Sequence, residues 1–332
     1  MLLTMLIVSM AIFIISEVVP IDVARNILGQ FATEEGIAAL REQLGLNCSA
    51  SVRYVIWLVG DDWIPPARNI VGEQVLPSGC TPEGLDRDGL LRGDMGISTQ
   101  YAAPVAPFLM RRLKNSLILA GISFVLIMPI SLLLGAIAGL REGGVLDRSI
   151  SLLSLVTTSS PTFATGVILL VIFSIWLGVL PGISNIATEE GAFENLNKLV
   201  MPIIVLFLSE AGYVARMTRA SMVDVMRQPY VRTAILKGLP RWKVILRHAL
   251  PNALFAPITL IMLHINWLIG GIVVVEVLFG FPGLGRALLN ASLNKDLYVI
   301  EAGALLMTFV ATSTQLIADI VYVYINPRIR FS

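Results

Sequence analysis

Charged side chains are scarce in this sequence. They make up 14% of 332 residues, 24 Lys and Arg against 23 Asp and Glu, while 56% of residues are hydrophobic and the mean hydropathy is +0.80. A soluble domain carries roughly a quarter charged residues, so the composition excludes one and reads as a polytopic membrane protein. The near balance of charge argues against nucleic acid as a partner. Cysteine is almost absent. Cys48 and Cys80 stand alone in one polar region, with no C-x-x-C and with His248 and His264 far from both, which removes the usual metal spacings. No G-x-x-x-x-G-K-[ST] run occurs, so the chain has no phosphate cradle for ATP, and neither G-x-S-x-G nor H-E-x-x-H is present. Gly283-Leu284-Gly285 imitates a dinucleotide fingerprint, but Leu288 holds the third glycine position and no strand–helix–strand pattern surrounds it. No internal repeat is visible, which counts against an inverted-repeat carrier.

What is present is a series of long apolar runs. Leu2 to Val19, closed by Pro20, lacks the basic leader and small-residue cleavage site of a signal peptide and reads as a first transmembrane helix. Asp22 to Gln100 is polar, and Ile37, Leu40 and Leu44 within Glu34 to Leu46 have helical spacing. Further spans run Leu113 to Leu140, Ile150 to Leu180, Leu199 to about Ala215, Ala253 to Phe279 and Val299 to Tyr324. The run Ile150 to Leu180 exceeds the ~20 residues of a straight crossing, so a kink is expected at Pro161. The layout is therefore a first helix over 1–20, a periplasmic loop or domain over 21–112, and a five-helix core over 113–332. With both termini inside, cytoplasmic segments hold 12 Lys and Arg and the two short outer loops hold 3, as the positive-inside rule asks. Arg111, Arg112 and Lys114 then stand on the outer side, against that rule locally.

The most basic stretch lies between the fourth and fifth spans. Arg216, Arg219, Arg227, Arg232, Lys237, Arg241, Lys243 and Arg247 face a single acid, Asp224. Each cation would cost roughly 2.5–3.5 kcal/mol at a bilayer centre, so 216–250 cannot cross and is read as a cytoplasmic loop. A short helix from Tyr230 is expected to end at Gly238, where glycine suits a left-handed cap and Pro240 forbids continuation. A second helix restarts at Arg241, with Trp242, Ile245, Leu246 and Ala249 forming one apolar stripe. Such a helix–turn–helix suits another protein's groove, although cytoplasmic loops are commonly basic without that role.

The spacing within this loop resembles the EAA loop of ABC importer permeases: EAA, three residues, Gly, nine residues, then I-x-L-P. Arg232-Thr233-Ala234 holds the EAA place, Gly238 follows after three residues and His248-Ala249-Leu250-Pro251 after nine. Arg and Thr in place of Glu and Ala, and His in place of Ile, are similar to the dipeptide/oligopeptide/nickel branch (DppB/OppB-like). Leu91 to Ser98 (LRGDMGIS), Arg111 to Leu117 (RRLKNSL) and Phe281 to Gly285 (FPGLG) after Val273 to Glu276 (VVVE) resemble further motifs of that branch. The resemblance implies an all-α protein with six transmembrane helices and a cytoplasmic coupling loop, the type I ABC importer permease fold. It also implies a bacterial inner membrane location, a second homologous permease subunit, two ABC ATPases that carry ATP and Mg, and an external solute-binding protein. No cofactor is expected in this chain, which would be a transport subunit for short peptides or related solutes and not an enzyme.

On that reading Tyr230, Arg232, Thr233, Ala234, Lys237, Gly238, Arg241, Leu250 and Pro251 form the ATPase-coupling surface. Glu210, Gly270, Gly271, Glu276, Phe281, Pro282, Gly283 and Gly285 are candidates for the path or the outer gate. Intramembrane acids usually face a bundle interior or water, yet each of these could instead lie near an interface, and the glycines could serve a turn alone. Cys48 and Cys80 could pair in an oxidising compartment or remain two thiols. The competing class is an ion- or proton-driven carrier using Glu210, Glu276 or His264 and needing no ATPase.

Overall fold

The computed structural model of the chain describes residues 2–18, 28, 33–43, 48–60, 88–184 and 196–325. Among the described residues the structure is helical, and its one β feature is an isolated bridge between Ile97 and Pro104. Among the described residues three helices are long and apolar enough to cross a membrane: Val105–Leu140, Leu196–Met226 and Leu297–Val323. Two broken pairs are apolar enough to add one crossing each, Val145–Ser159 with Thr162–Trp176 and Arg241–Ala253 with Phe255–Met262. The chain divides into two compact units.

The first unit comprises Met1–Leu113 and Ala287–Val310. Helix α1 (Leu2–Val18) is 17 residues long, shorter than the ~20 that span the hydrocarbon. Helix α2 (Glu34–Gln43) bears Glu34 and Glu35 in its first turn and Arg41 in its last, matching the helix dipole, and buries Ile37 as its spacing predicts. Helix α3 (Ala50–Val59) lies in the stretch read as polar from sequence. Its Tyr54 and Trp57 pack on Phe13 of α1 with ring centroids 5.3 and 5.9 Å apart, and the Tyr54 hydroxyl meets Ser9 Oγ at 2.8 Å. Cys48, just before α3, is buried and disulfide-bonded, while Cys80 and the rest of 61–87 lie outside the described residues. The motif Leu91 to Ser98 makes a single 3₁₀ turn closed by Gly93 in the left-handed region. Ser98 then donates to buried Asp296 at 2.5 Å, ahead of helix α13.

The second unit comprises Lys114–Arg286 and Ala311–Ser332. Helix α4 (Val105–Leu140) begins eight residues before the run expected from Leu113 and has 36 residues. Helices α5 (Val145–Ser159) and α6 (Thr162–Leu169, continuing as a π turn Leu170–Trp176) replace the single kinked span, and Pro161 marks a corner of 107°. Proline removes an amide donor and excludes the preceding residue from helix, and here the two effects end one helix and start another. Helix α7 (Leu196–Met226) lies at the centre, against α5, α6 and α11 (Phe255–Leu278), with Leu199, Val205, Leu206 and Val214 in the core with Ile272, Val275 and Phe279. Small residues let these helices approach: a Cβ on Gly135 would lie 2.4 Å from the Ala215 carbonyl, and one on Gly139 2.7 Å from Met222 Cβ.

Between α7 and α11 lie α8 (Pro229–Leu236), α9 (Arg241–Val244, continuing as a π turn Ile245–Ala249) and α10 (Leu250–Ala253). Helix α12 (Leu284–Asn294) occupies what sequence marks as a polar loop, and α13 (Leu297–Ile325) ends the described chain.

Candidate functional site: a cationic helix–turn–helix and a buried glutamate turn

The basic stretch differs from its sequence reading in where the loop begins. Helix α7 continues to Met226, so Arg216 and Arg219 belong to a span-length helix and not to a loop starting at 216. Arg219 is consumed there. Its Nε and Nη2 donate to the two oxygens of Asp147 on α5, the latter at 2.7 Å, and Asp147 also accepts the Gly143 amide at 2.9 Å. Eight residues on, Arg227 pairs with Glu142 in the same 141–144 turn at 2.6 Å. The last part of α7 and the residue after it are thus bolted to the start of α5 and the turn before it. The acid side of this clamp was invisible in sequence because ion pairs across 72 and 85 residues leave no periodic trace.

Beyond Met226 the expected helix–turn–helix forms. Gln228 caps α8 with extended backbone, and Pro229 occupies the first turn, where its missing N–H costs nothing. Val231 and Ala234 face inward with Val244, against Val225, Met226 and Leu239. Ala234 is therefore small for this internal contact and does not lie on the outer face. Gly238 has φ +77° and ends the motif, its N–H on Ile235 O at 2.9 Å. A Cβ at Gly238 would meet no atom within 4 Å, so its requirement is conformational and the space around it is open.

The stripe expected on the second helix is divided between surface and core. Trp242 and Leu246 are 64% and 57% exposed, while Val244, Ala249 and Ala253 are buried. The cause is the π turn: it spaces successive inward residues at i+5, from Val244 to Ala249, and rotates the α-helical stripe outward. Tyr230, Ile235, Leu236, Trp242 and Leu246 are consequently exposed together with Arg232, Thr233, Lys237, Gly238 and Arg241. No described residue forms an ion pair with Arg232, Lys237, Arg241 or Arg247, in contrast to Arg219 and Arg227. Leu250 is half-buried and Pro251 exposed at the start of α10.

The second assembly surrounds Glu276, which is fully buried. Ser116 Oγ donates to its Oε1, and the Gly285 and Arg286 amides donate to Oε2 at 2.7 and 3.2 Å. The Leu284 amide donates to Ser116 Oγ at 2.8 Å, and Asn115 Nδ2 to the Pro282 carbonyl at 3.0 Å. Arg286 folds back to donate to the Gly280 carbonyl. The carboxylate thus takes two amides of the first turn of α12, where helix ends leave amides unpaired and favour anions. Phe281 is fully buried in the core. A Cβ at Gly283 would lie 2.0 Å from Glu276 Oε1, and one at Gly285 2.7 Å from Val273. Three motifs separated in sequence, RRLKNSL, VVVE and FPGLG, are one hydrogen-bonded object.

The other candidate path residues are dispersed. Glu210 is buried on α7, and Gly271 on α11 faces Leu206 at 3.3 Å from its notional Cβ, whereas Gly270 is exposed with open space. Glu301 is buried on α13, while exposed Asp319 accepts from Gln315 at 2.8 Å. Among the described residues no group of three or more His, Cys, Asp or Glu is placed to hold a metal ion.

Known proteins give this arrangement a context. Residues 131–331 match the model of the binding-protein-dependent transport system inner membrane component, and residues 1–81 match the N-terminal component of the same systems. The chain is 30% identical over 327 residues to the "Probable peptide ABC transporter permease protein y4tP" of Sinorhizobium fredii, covering 98% of this chain and 95% of that one. It is 35% identical over 245 residues to the "Oligopeptide transport system permease protein AppB" of Bacillus subtilis, covering 73% and 78%. It is 31% identical over 328 residues to the "Glutathione transport system permease protein GsiC" of Salmonella choleraesuis, covering 99% and 95%.

Proposed function

This chain belongs to the family of binding-protein-dependent transport system inner membrane components, and we propose that it forms half of a translocation path for short peptides. As a member it is a permease subunit of an ABC importer, a transport component working with a solute-binding protein and ATPases. The proposal adds a second homologous permease, two ATPases that hold ATP and Mg and carry out the hydrolysis, and a membrane topology of six spans with both ends cytoplasmic. Helix α1, the three long helices, the broken pair at Pro161 and the 24-residue α11 would supply those six. A disulfide from Cys48 to Cys80 would then lie on the oxidising side.

The observation that carries the coupling role is the exposed face of α8 to α10, where uncommitted cations surround Leu236, 80% exposed, and Trp242. Solvent-exposed apolar side chains ringed by charge are what a partner's groove buries. ATP binding would close the ATPase pair and carry this face with it. The clamp of Arg219 on Asp147 and Arg227 on Glu142 would pass the displacement from α7 to α5 as a rigid body. The path would then open outward to receive peptide from the binding protein, and hydrolysis would reset it. Peptide as substrate class rests on the relatives named above.

Purification of the chain in detergent tests this reading. The expected result is co-purification of a second permease and P-loop ATPases, with ATP hydrolysis that is lost when Leu236→Glu and Trp242→Glu are combined. A chain that purifies alone, yet moves solute in liposomes under an ion gradient, would return the carrier reading.

A further inference from the structure

Arg216 is a cation of α7 for which the coupling role gives no use. It lies three residues before Arg219 and ten before Met226, about 15 Å from that end at ~1.5 Å per residue. A long cationic side chain in a span ordinarily reaches toward the nearer interface. Arg216 reaches the other way. Its Nε donates to the Gly212 carbonyl at 3.3 Å and its Nη2 to Thr158 Oγ1 at 3.0 Å, while the guanidinium lies 5.3 Å from the ring centre of Tyr213. Gly212 is the seventeenth of 31 residues, so the charge sits near the middle of the helix.

Two further features mark the place as a binding position. Arg216 forms no ion pair with a described acid, whereas Arg219 one turn away is neutralised by Asp147. Both of its bonded partners are neutral oxygens, and its Nη1 has no acceptor among the described residues. Thr158 is held for its role, because its hydroxyl also donates to the Ser154 carbonyl at 2.7 Å. Next to it the chain breaks by 107° at Ser160-Pro161. Interrupted helices inside a membrane are tolerated where they are buried in protein or line an aqueous cavity, and such breaks are where transporters place substrate groups. A half-buried, half-occupied guanidinium at that break lacks only an anion.

We propose that Arg216, steadied by Thr158 and Tyr213, is a way-station for a carboxylate, and that its natural occupant is the terminal carboxylate of a peptide in transit. A planar guanidinium suits a carboxylate better than any neutral end group, because it can donate two parallel hydrogen bonds. Occupancy is brief, since the site offers a single charge on a half-buried side chain, as a path requires. The inference rests on the peptide reading above and adds the group that is recognised and the residue that does it.

The test uses the complete complex with its own partner subunits in liposomes, and compares uptake of a tripeptide with that of its C-terminal amide. The binding protein is the same in every sample, so its own preference cancels in the ratio of variant to parent. R216Q is expected to slow the acid about tenfold, the scale of one charge-assisted hydrogen bond, and the amide less than about twofold. R216K, which keeps charge but not the fork, should fall between. Co-purified ATPase and its stimulation by loaded binding protein report that the variant complex is assembled and coupled. Equal slowing of acid and amide would reduce Arg216 to a structural residue and overturn the proposal, as would no slowing of either. If the parent moves neither tripeptide, the peptide reading fails first and takes this inference with it. Repeating the comparison in vesicles of phosphatidylcholine with and without phosphatidylglycerol separates the other source of anion. An effect of R216Q that appears only with phosphatidylglycerol assigns the site to a lipid headgroup and overturns the peptide occupant.

Discussion

Two glycine-bearing turns of this chain do opposite things with the same residue. At Gly238 the backbone is in the left-handed region and the surroundings are empty: φ is +77° and no atom waits within 4 Å of a notional Cβ. At Gly283 the space is already filled, because a Cβ there would lie on the carboxylate of Glu276. The first turn shapes a surface and leaves it free for a partner. The second closes a knot in which the Glu276 carboxylate, the Ser116 hydroxyl and the amides of α12 satisfy one another. The sequence shows two motifs with glycine close to proline; the structure separates a glycine required for backbone torsion from one required for volume. The distinction matters for function, since strain at an outward turn affects docking, whereas crowding at an inward turn affects whether the protein stands at all.

The comparison can be broken most forcefully at the knot. G283A should be the most damaging change, because neither the carboxylate nor the turn can give way without losing buried hydrogen bonds. A loss of about 3 kcal/mol or more is expected, at the upper end for overpacking, seen as poor yield of monodisperse protein and a lowered melting temperature in detergent. Wild-type stability for G283A would show that the turn is looser than described. Next comes E276Q, which keeps the shape but replaces one acceptor oxygen by an amide donor facing other donors. About 1–3 kcal/mol should be lost, with the ATPase partners still bound, because the knot and the docking face are separate devices.

Smaller effects on stability are expected at Gly238, and they divide the conformational reading from the contact reading. G238V places a β-branched residue in the left-handed region and should cost about 1–2 kcal/mol, with ATP hydrolysis uncoupled from uptake. G238N should cost least, since asparagine tolerates that region. Coupled transport by G238N with failure of G238V would show that torsion alone is needed. Failure of both, with the chain intact in the membrane, would instead show that a partner's backbone approaches the open space at Gly238.

Much of this was legible in the sequence, and for reasons that are local. The helical spans follow from apolar runs, since lipid forces backbone groups to pair within a segment. The end of α8 follows from Gly238 before Pro240, and Ile37 is buried where its spacing places it. Family motifs drew attention to Glu276, Gly283 and Gly285 as separate points. Other features were misread because the competing effect was not local. The π turn at Ile245–Ala249 breaks the helical period, so the stripe of Trp242, Ile245, Leu246 and Ala249 is divided, with Trp242 and Leu246 exposed and Ala249 buried. Cations at Arg216 and Arg219 mark a loop in the sequence because the groups that accept from them, Thr158 on α5 for one and Asp147 for the other, lie 58 and 72 residues away. Helix α12 escaped notice because its capping carboxylate precedes it across a turn.

By itself the sequence determined the membrane as solvent, the helical class, the cationic helix–turn–helix and the absence of an ATP cradle, because each depends on composition or on spacing within a few residues. Only the tertiary structure decided which glycine is crowded and which is open, which arginine is neutralised and which is not, and that three motifs meet at one carboxylate. Those facts depend on which distant atoms occupy the few ångströms around a side chain, and close packing of helices sets that distance.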